Sequence, residues 1–268
     1  MGAHLRSASF ACLALGGALV ALVACGPIPP PANPYTAAPD LLNDMLALRG
    51  GVQSFRIAGS VTHVGKQRVQ GKAFLFAELP TRLRVDILSP FGTTLSVLTV
   101  DDGHFALSDH REGHCYSGPA APCNIARLIG VSLPAEDLIQ LVLGQVPLIE
   151  PDRPPTIQWL RSGFYRVTLQ RGHSVQHLDI DPDREILPLH RAVLEERKKV
   201  VYEVSFSRWR QVASRMLPLE VRIRMPADNA EVILRYETHN IELDVALPDD
   251  AWRQQFPAGC PVHEVHCD

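Results

Sequence analysis

The sequence predicts a mainly β fold: a single curved antiparallel sheet, left open as a half-barrel and lidded by about three short helices. Three observations predict it. Beyond Phe55, apolar and polar residues alternate with period two in one run after another. Turn signals such as Asp102-Gly103 join neighbouring runs, so the strands read as a meander. Helical periodicity is confined to three short stretches, one ahead of the strands and two together in the middle.

The first helix is Pro39 to Leu48, with Leu41, Leu42, Met45 and Leu48 on one side and Gly50-Gly51 as its stop. Phe55, Ile57, Gly59 and Val61 then alternate with Arg56, Ala58 and Ser60, and a turn near Gly65-Lys66 leads to the run Val69 to Ala77. Leu83, Val85 and Ile87 against Arg82, Arg84 and Asp86 mark a strand with one wet face. Thr94 to Val100 and Phe105 to Ser108 follow. Asn124 to Ile129 and Pro134 to Leu143 are two short helices, each followed by glycine. In the second, Pro134 suits the first helical position and Glu136 and Asp137 suit its positive end, while Leu138, Leu141 and Val142 form one stripe. Strands resume at Ile157 to Leu160, Tyr165 to Gln170, Val175 to Ile180, Leu187 to Leu194, Val201 to Ser207, Leu219 to Met225, Val232 to Tyr236 and Ile241 to Val245. Several are apolar on both sides, Phe74-Leu75-Phe76 among them, so a curled sheet of this kind can enclose a lipid-sized cavity or pack a plain core. The candidate cavity aromatics are Phe74, Phe76, Tyr202 and Phe206.

The 268 residues are 46% hydrophobic and 21% charged, the composition of a chain that buries a real core. A formal net charge of -3 offers no field for nucleic acid, and no nucleic-acid partner is expected. Residues 1–24 read as an export signal: one positive charge, then the apolar run Phe10 to Val23, too short for a confident membrane span. The run ends Leu22-Val23-Ala24-Cys25, which looks like a bacterial lipobox with Cys25 as the acylated first residue of the mature chain; the alternative is an ordinary signal peptide that contains a cysteine. Residues 25–38 are a Pro-rich tether, 39–247 the folded domain and 248–268 a C-terminal tail. Of the remaining cysteines, Cys115, Cys123, Cys260 and Cys267 fall in two sequence-local pairs. Disulfides Cys115 to Cys123 and Cys260 to Cys267 are expected in an oxidising compartment.

Little else carries chemistry. There is no nucleophile elbow, P-loop or dinucleotide fingerprint. Asp179-Ile180-Asp181-Pro182-Asp183 resembles the opening of a calcium loop, but Arg184 stands where the glycine belongs, and the stretch reads better as a strand end and turn. Cys260 to Cys267 holds His263 and His266, whose spacing matches no zinc pattern. The expectation is a protein without metal, cofactor or catalytic residue, with a periplasmic enzyme of spatially converging histidines as the competing reading.

The segment Leu83-Arg84-Val85-Asp86-Ile87-Leu88-Ser89-Pro90-Phe91-Gly92-Thr93-Thr94, the run Arg127-Leu128-Ile129-Gly130-Val131-Ser132-Leu133-Pro134 and its continuation Leu138 to Pro147 together resemble the LolB family of outer-membrane lipoprotein receptors. The resemblance is good over roughly Leu42 to Pro147 and architectural beyond. It implies an unclosed β-barrel whose helices lid an apolar cavity for acyl chains of a lipoprotein cargo. It also implies a LolA-like periplasmic carrier as partner, and a lipid-anchored location on the outer membrane facing the periplasm. The family carries a protruding Pro-Leu-Gly loop that helps pass cargo into the membrane. Pro90, Phe91 and Gly92 fall on that motif with Phe91 in place of the leucine, either projecting into lipid or folded back on its own hairpin. The competing family-level reading is an envelope lipoprotein of the same fold that carries another lipid or scaffolds an envelope complex.

Overall fold

Period-two alternation needs partners on both sides of each strand, and the chain supplies them by folding back on itself. The computed structural model describes residues 27–65, 68–129 and 132–267; the signal segment and Cys25 lie outside them. Helix α1 (Ala38–Ala47) precedes β1 (Ser54–Val64), β2 (Arg68–Glu78), β3 (Arg82–Leu88), β4 (Thr94–Asp101), β5 (His104–Asp109) and β6 (His114–Pro119). After α2 (Pro122–Ile129) and α3 (Ala135–Val142) come β7 (Thr156–Trp159), β8 (Tyr165–Arg171), β9 (Ser174–Ile180), β10 (Leu189–Glu196) and β11 (Lys199–Ser207). A small hairpin, β12 (Arg210–Val212) and β13 (Arg215–Leu217), leads to β14 (Glu220–Met225), β15 (Ala230–Leu243) and β16 (Val262–Glu264).

Fourteen strands form one sheet in the order β16-β6-β5-β4-β3-β2-β1-β15-β14-β11-β10-β9-β8-β7, with β12 and β13 apart. All neighbours are antiparallel except β16, which runs parallel to β6. The order begins at β16 and ends at β7, so the sheet is open, a half-barrel as expected. Antiparallel alternation gives it two rims. The β1–β2, β3–β4, β10–β11 and β14–β15 turns share one, the hairpin rim. The β2–β3, β7–β8 and β9–β10 connections share the other, the helix rim.

The sheet's two faces differ. Inward residues, among them Phe55, Ile57, Leu75, Leu83, Leu98, Val167, Leu178, Val204 and Val221, are buried with Leu41, Leu42 and Met45 of α1 and Leu138, Ile139 and Leu141 of α3 in a continuous core. Outward residues form cross-strand ion pairs: Arg222 reaches Glu231 at 3.1 Å, Arg191 reaches Glu203 at 2.9 Å and Arg166 reaches Asp179 at 2.6 Å. These favour the register, because a one-residue slip would send charges into the core.

Three findings depart from expectation. The polar stretch Glu237 to Asn240 does not separate two strands: Ile57 opposes Ile241 and Gly59 opposes Tyr236, so these residues form a bulge within the single long β15. The disulfides are long-range, not local, joining Cys115 to Cys260 and Cys123 to Cys267. The reason lies in the tail. Trp252 is buried at β3 and β4, Arg84 Nη1 donates to the Ala251 carbonyl at 3.1 Å, and Gln254 Nε2 donates to Ser108 Oγ at 2.5 Å. The chain crosses the outer face and adds β16 to the edge of β6, bringing Cys260 beside Cys115 and Cys267 beside Cys123 at the start of α2. The tether also differs from a free spacer, for Ile28 and Tyr35 hydrogen-bond to the domain at the helix rim.

Candidate functional site: an apolar cavity and a projecting loop

The β3–β4 connection is a closed turn. The Ser89 N–H donates to the Thr93 carbonyl at 2.8 Å, the Gly92 N–H to the Ser89 carbonyl at 2.9 Å, and the Thr93 N–H to Ser89 Oγ at 3.1 Å. Gly92 sits at φ +90°, which an L side chain adopts only under strain. At the base, Gly71 lets the Leu88 carbonyl lie against β2, where a Cβ would meet it at 2.4 Å. Pro90, Phe91 and Gly92 therefore stand on a rigid support, and the Phe91 side chain, 96% exposed, projects from it. The ring does not fold back on its hairpin. Val64, at the β1–β2 turn of the same rim, is also exposed.

Behind the turn lies a cavity walled by Val61, Ala73, Leu75, Leu83, Val85 and Ile87 on one side and Ile223, Val232 and Leu234 on the other, and roofed by Leu138, Leu141 and Val142 of α3. No polar side chain lines it. Its free volume is about 50 Å³, roughly a third of the ~150 Å³ that holds one benzene molecule. In this closed form an acyl chain has no room.

The two ends of α3 are held differently. Past its C-terminus, the Gly144 carbonyl accepts from Arg49 Nη1 at 3.0 Å, and Arg49 Nη2 donates to the Leu187 carbonyl between β9 and β10. Gln145 Nε2 returns a bond to the Arg49 carbonyl at 3.0 Å. Arg49 is buried beneath Trp209, its charge centre 5.0 Å from the ring centroid, and burial lowers its pKa to about 10, so it stays charged at neutral pH. At the N-terminal end Pro134 provides no side-chain cap, and burial, with Glu136 adjoining, raises the Asp137 pKa to about 6. One end is clamped by a buried cation. The other carries a carboxylate that resists ionising where it sits.

The four aromatics expected at the cavity are elsewhere. Phe74 and Phe76 oppose Asp86 and Arg84 on β3 and share their outward, partly exposed face, since Ala73 and Leu75 between them turn inward. Tyr202 and Phe206 are buried on the inner face but away from the lining: Gln176 Nε2 donates to Tyr202 Oη at 3.4 Å, burial pushes the Tyr202 pKa up to about 12, and Phe206 packs near Trp209. The expected calcium-like stretch is a strand end and turn, with the Asp181 carboxylate accepting from the Asp183 N–H at 3.0 Å. Among the described residues no three His, Cys, Asp or Glu side chains gather to hold a metal, and no helix is long and apolar enough to cross a membrane.

An open antiparallel sheet curled around an apolar cavity, with a helix for its roof, is the class of fold this chain adopts. A family model described as "Outer membrane lipoprotein LolB" matches residues 53–238, and the chain belongs to that family. Membership supports a role in lipoprotein binding or sorting. No curated protein sequence matches the chain. Among solved structures it is similar to a DUF1329 family protein from Desulfovibrio piger (TM-score 0.55, 14% identity, covering 80% of this chain and 95% of that one). It is also similar to a LolA superfamily protein from Nitrosomonas europaea (TM-score 0.50, 10% identity, 82% and 99% covered). At these identities the likeness is one of fold.

Proposed function

We propose that this protein is an outer-membrane lipoprotein, anchored through acylated Cys25 and facing the periplasm, that takes the acyl chains of lipoproteins from a LolA-like carrier and passes them into the membrane. The observation that carries the reading is Phe91, wholly exposed on a hydrogen-bonded turn at the rim where Ile87 and Val61 wall the cavity. Burying a Phe side chain in lipid is worth about 1.5–3 kcal/mol, enough to bias docking of a tethered protein without fixing it there.

The energetics of loading are compatible with this. Lifting α3 exchanges contacts of Leu138, Leu141 and Val142 with the sheet for contacts with the cargo. Each acyl methylene buried contributes about 0.8 kcal/mol, so ten of them offer on the order of 8 kcal/mol against the cost of opening. Arg49 keeps the C-terminal end of α3 in place as the hinge. No covalent step and no cofactor is required, and transfer follows from differential affinity among carrier, cavity and bilayer.

The test uses soluble Cys25→Ala protein mixed with carrier preloaded with a purified lipoprotein. Cargo is expected to move to it, and no transfer to a folded, fully oxidised protein would sink the receptor reading. Retention of a co-purified phospholipid or glycolipid in that case would favour a carrier of another lipid.

A further inference from the structure

The Pro-rich segment ahead of α1 is docked on the helix rim. The Ile28 N–H donates to the Arg161 carbonyl at 3.1 Å, and Trp159 Nε1 donates to the Ile28 carbonyl at 2.8 Å. Further along, Arg184 Nη2 donates to the Asn33 carbonyl at 2.6 Å, with its guanidinium 4.2 Å from the Tyr35 ring centroid. The Tyr35 N–H donates to Tyr165 Oη at 3.1 Å, and Tyr35 Oη to Asp44 at 2.7 Å. These are discrete holds on an otherwise exposed segment. Residues 27–36 include five prolines, which have no N–H to donate and which keep the segment extended and semi-rigid.

This dock sits on the rim opposite Phe91. Only Gly26 and Pro27 lie between Cys25 and Ile28, three steps along the chain and a reach of about 10 Å at ~3.1 Å per residue. A domain anchored through Cys25 with Ile28 in place therefore rests its helix rim near the bilayer and points Phe91 away from it. Freed as far as Ala37, the segment reaches about 37 Å at the same rise per residue. That compares with about 36 Å for the longer strands of the sheet, such as the 11-residue β1 at ~3.3 Å per residue. The domain can then turn over.

We propose that residues 27–36 are a releasable strap. Docked, it presents Phe91 and the cavity mouth to the periplasm for cargo acceptance; released, it lets Phe91 reach the membrane that holds the anchor. The inference rests on the reading above of Cys25 as anchor and Phe91 as delivery tip.

The test uses the lipidated full chain on phosphatidylethanolamine–phosphatidylglycerol liposomes. A Cβ at Gly163 would lie 3.5 Å from the Ile28 Cβ, within disulfide range of about 3.5–4.5 Å, so Ile28→Cys with Gly163→Cys locks the strap. Gly163→Cys alone controls for strain at its φ of +87°. The locked protein is expected to accept a purified triacylated lipoprotein from the carrier at the control's rate and to deliver it to the liposomes at least tenfold more slowly. Trp159→Phe with Arg184→Gln, which loosens the dock, is expected to raise quenching of a Phe91→Trp reporter by brominated phospholipid. Delivery by the locked protein at the control's rate overturns the strap, and so does a locked protein that neither accepts nor delivers. Phe91→Glu, run in parallel, separates the two readings. If it fails while the locked protein delivers, the strap is wrong and the receptor reading stands; if it delivers normally, Phe91 is not the delivery tip and the strap falls with it, while the receptor reading is left to the transfer assay.

Discussion

The two rims of the sheet are built to opposite rules. At the helix rim, side chains tie distant segments together: Arg49 joins α1, α3 and the β9–β10 connection, and Trp159, Tyr165 and Arg184 hold the residues ahead of α1. At the hairpin rim the β3–β4 turn satisfies its own backbone, and Phe91 stands clear of the protein. A residue with no packing role can be changed without weakening the fold, whereas a residue joining three segments cannot. Under the proposed function, delivery and stability are therefore separable at the hairpin rim, while the helix rim is committed to stability.

The strongest way to break this comparison is Phe91→Glu. Losing a burial worth about 1.5–3 kcal/mol, and offering a carboxylate to lipid instead, is expected to cut delivery to liposomes tenfold to about a hundredfold. The urea midpoint should stay at the wild-type value, and a lowered midpoint would show that the hairpin rim is structural after all. Arg49→Met tests the other rim. It leaves the Gly144 and Leu187 carbonyls without their donor and should cost about 2 kcal/mol, lowering Tm by about 5 °C in a calorimetric scan.

Asp137→Asn sharpens the contrast within α3. The folded pKa of Asp137 is raised from 3.8 to about 6, so its favourable contribution is full below pH 3.8 and is lost as pH rises through about 6. The variant should gain about 1 kcal/mol at pH 7.5, after discounting for the half-exposed site, and nothing at pH 3.5. Denaturant titrations at the two pH values measure this, and an equal gain at both would remove ionisation as the cause. The smallest effect belongs to Phe74→Thr, on the outward face. It should cost less than about 1 kcal/mol and leave cargo uptake unchanged, while Leu75→Thr, one residue along on the cavity wall, should impair uptake in the same transfer assay.

That pair also shows what could be read from the residues. The helices were legible to within a residue or two because prolines and glycines bracket apolar stripes, as at Pro39 and Gly144. Strand β6, with Gly118 and Pro119 at its end, offers no alternation and was missed; β12, β13 and β16, three residues each, are too short to show one. That Phe91 sits on a turn was legible from the proline and glycine that flank it; whether the ring projected or folded back on its hairpin was not, and the structure shows it exposed. The cavity wall was not legible, since β2 is apolar on both faces. Yet a clue was present: β3 has one wet face, and pairing it antiparallel to β2 sets Phe74 opposite Asp86, outside. The disulfide partners were beyond reach, because four cysteines allow three pairings and nothing local tells the tail to return to β6.

The long-range disulfides have a further consequence. Each closes a covalent ring through 144 or 145 residues of sequence, which between them encircle α2, α3 and every strand from β7 to β15. A protease that nicks any turn inside the rings yields two fragments that stay joined, migrating as one species until reduced. The returning tail is thus the segment that seals the molecule.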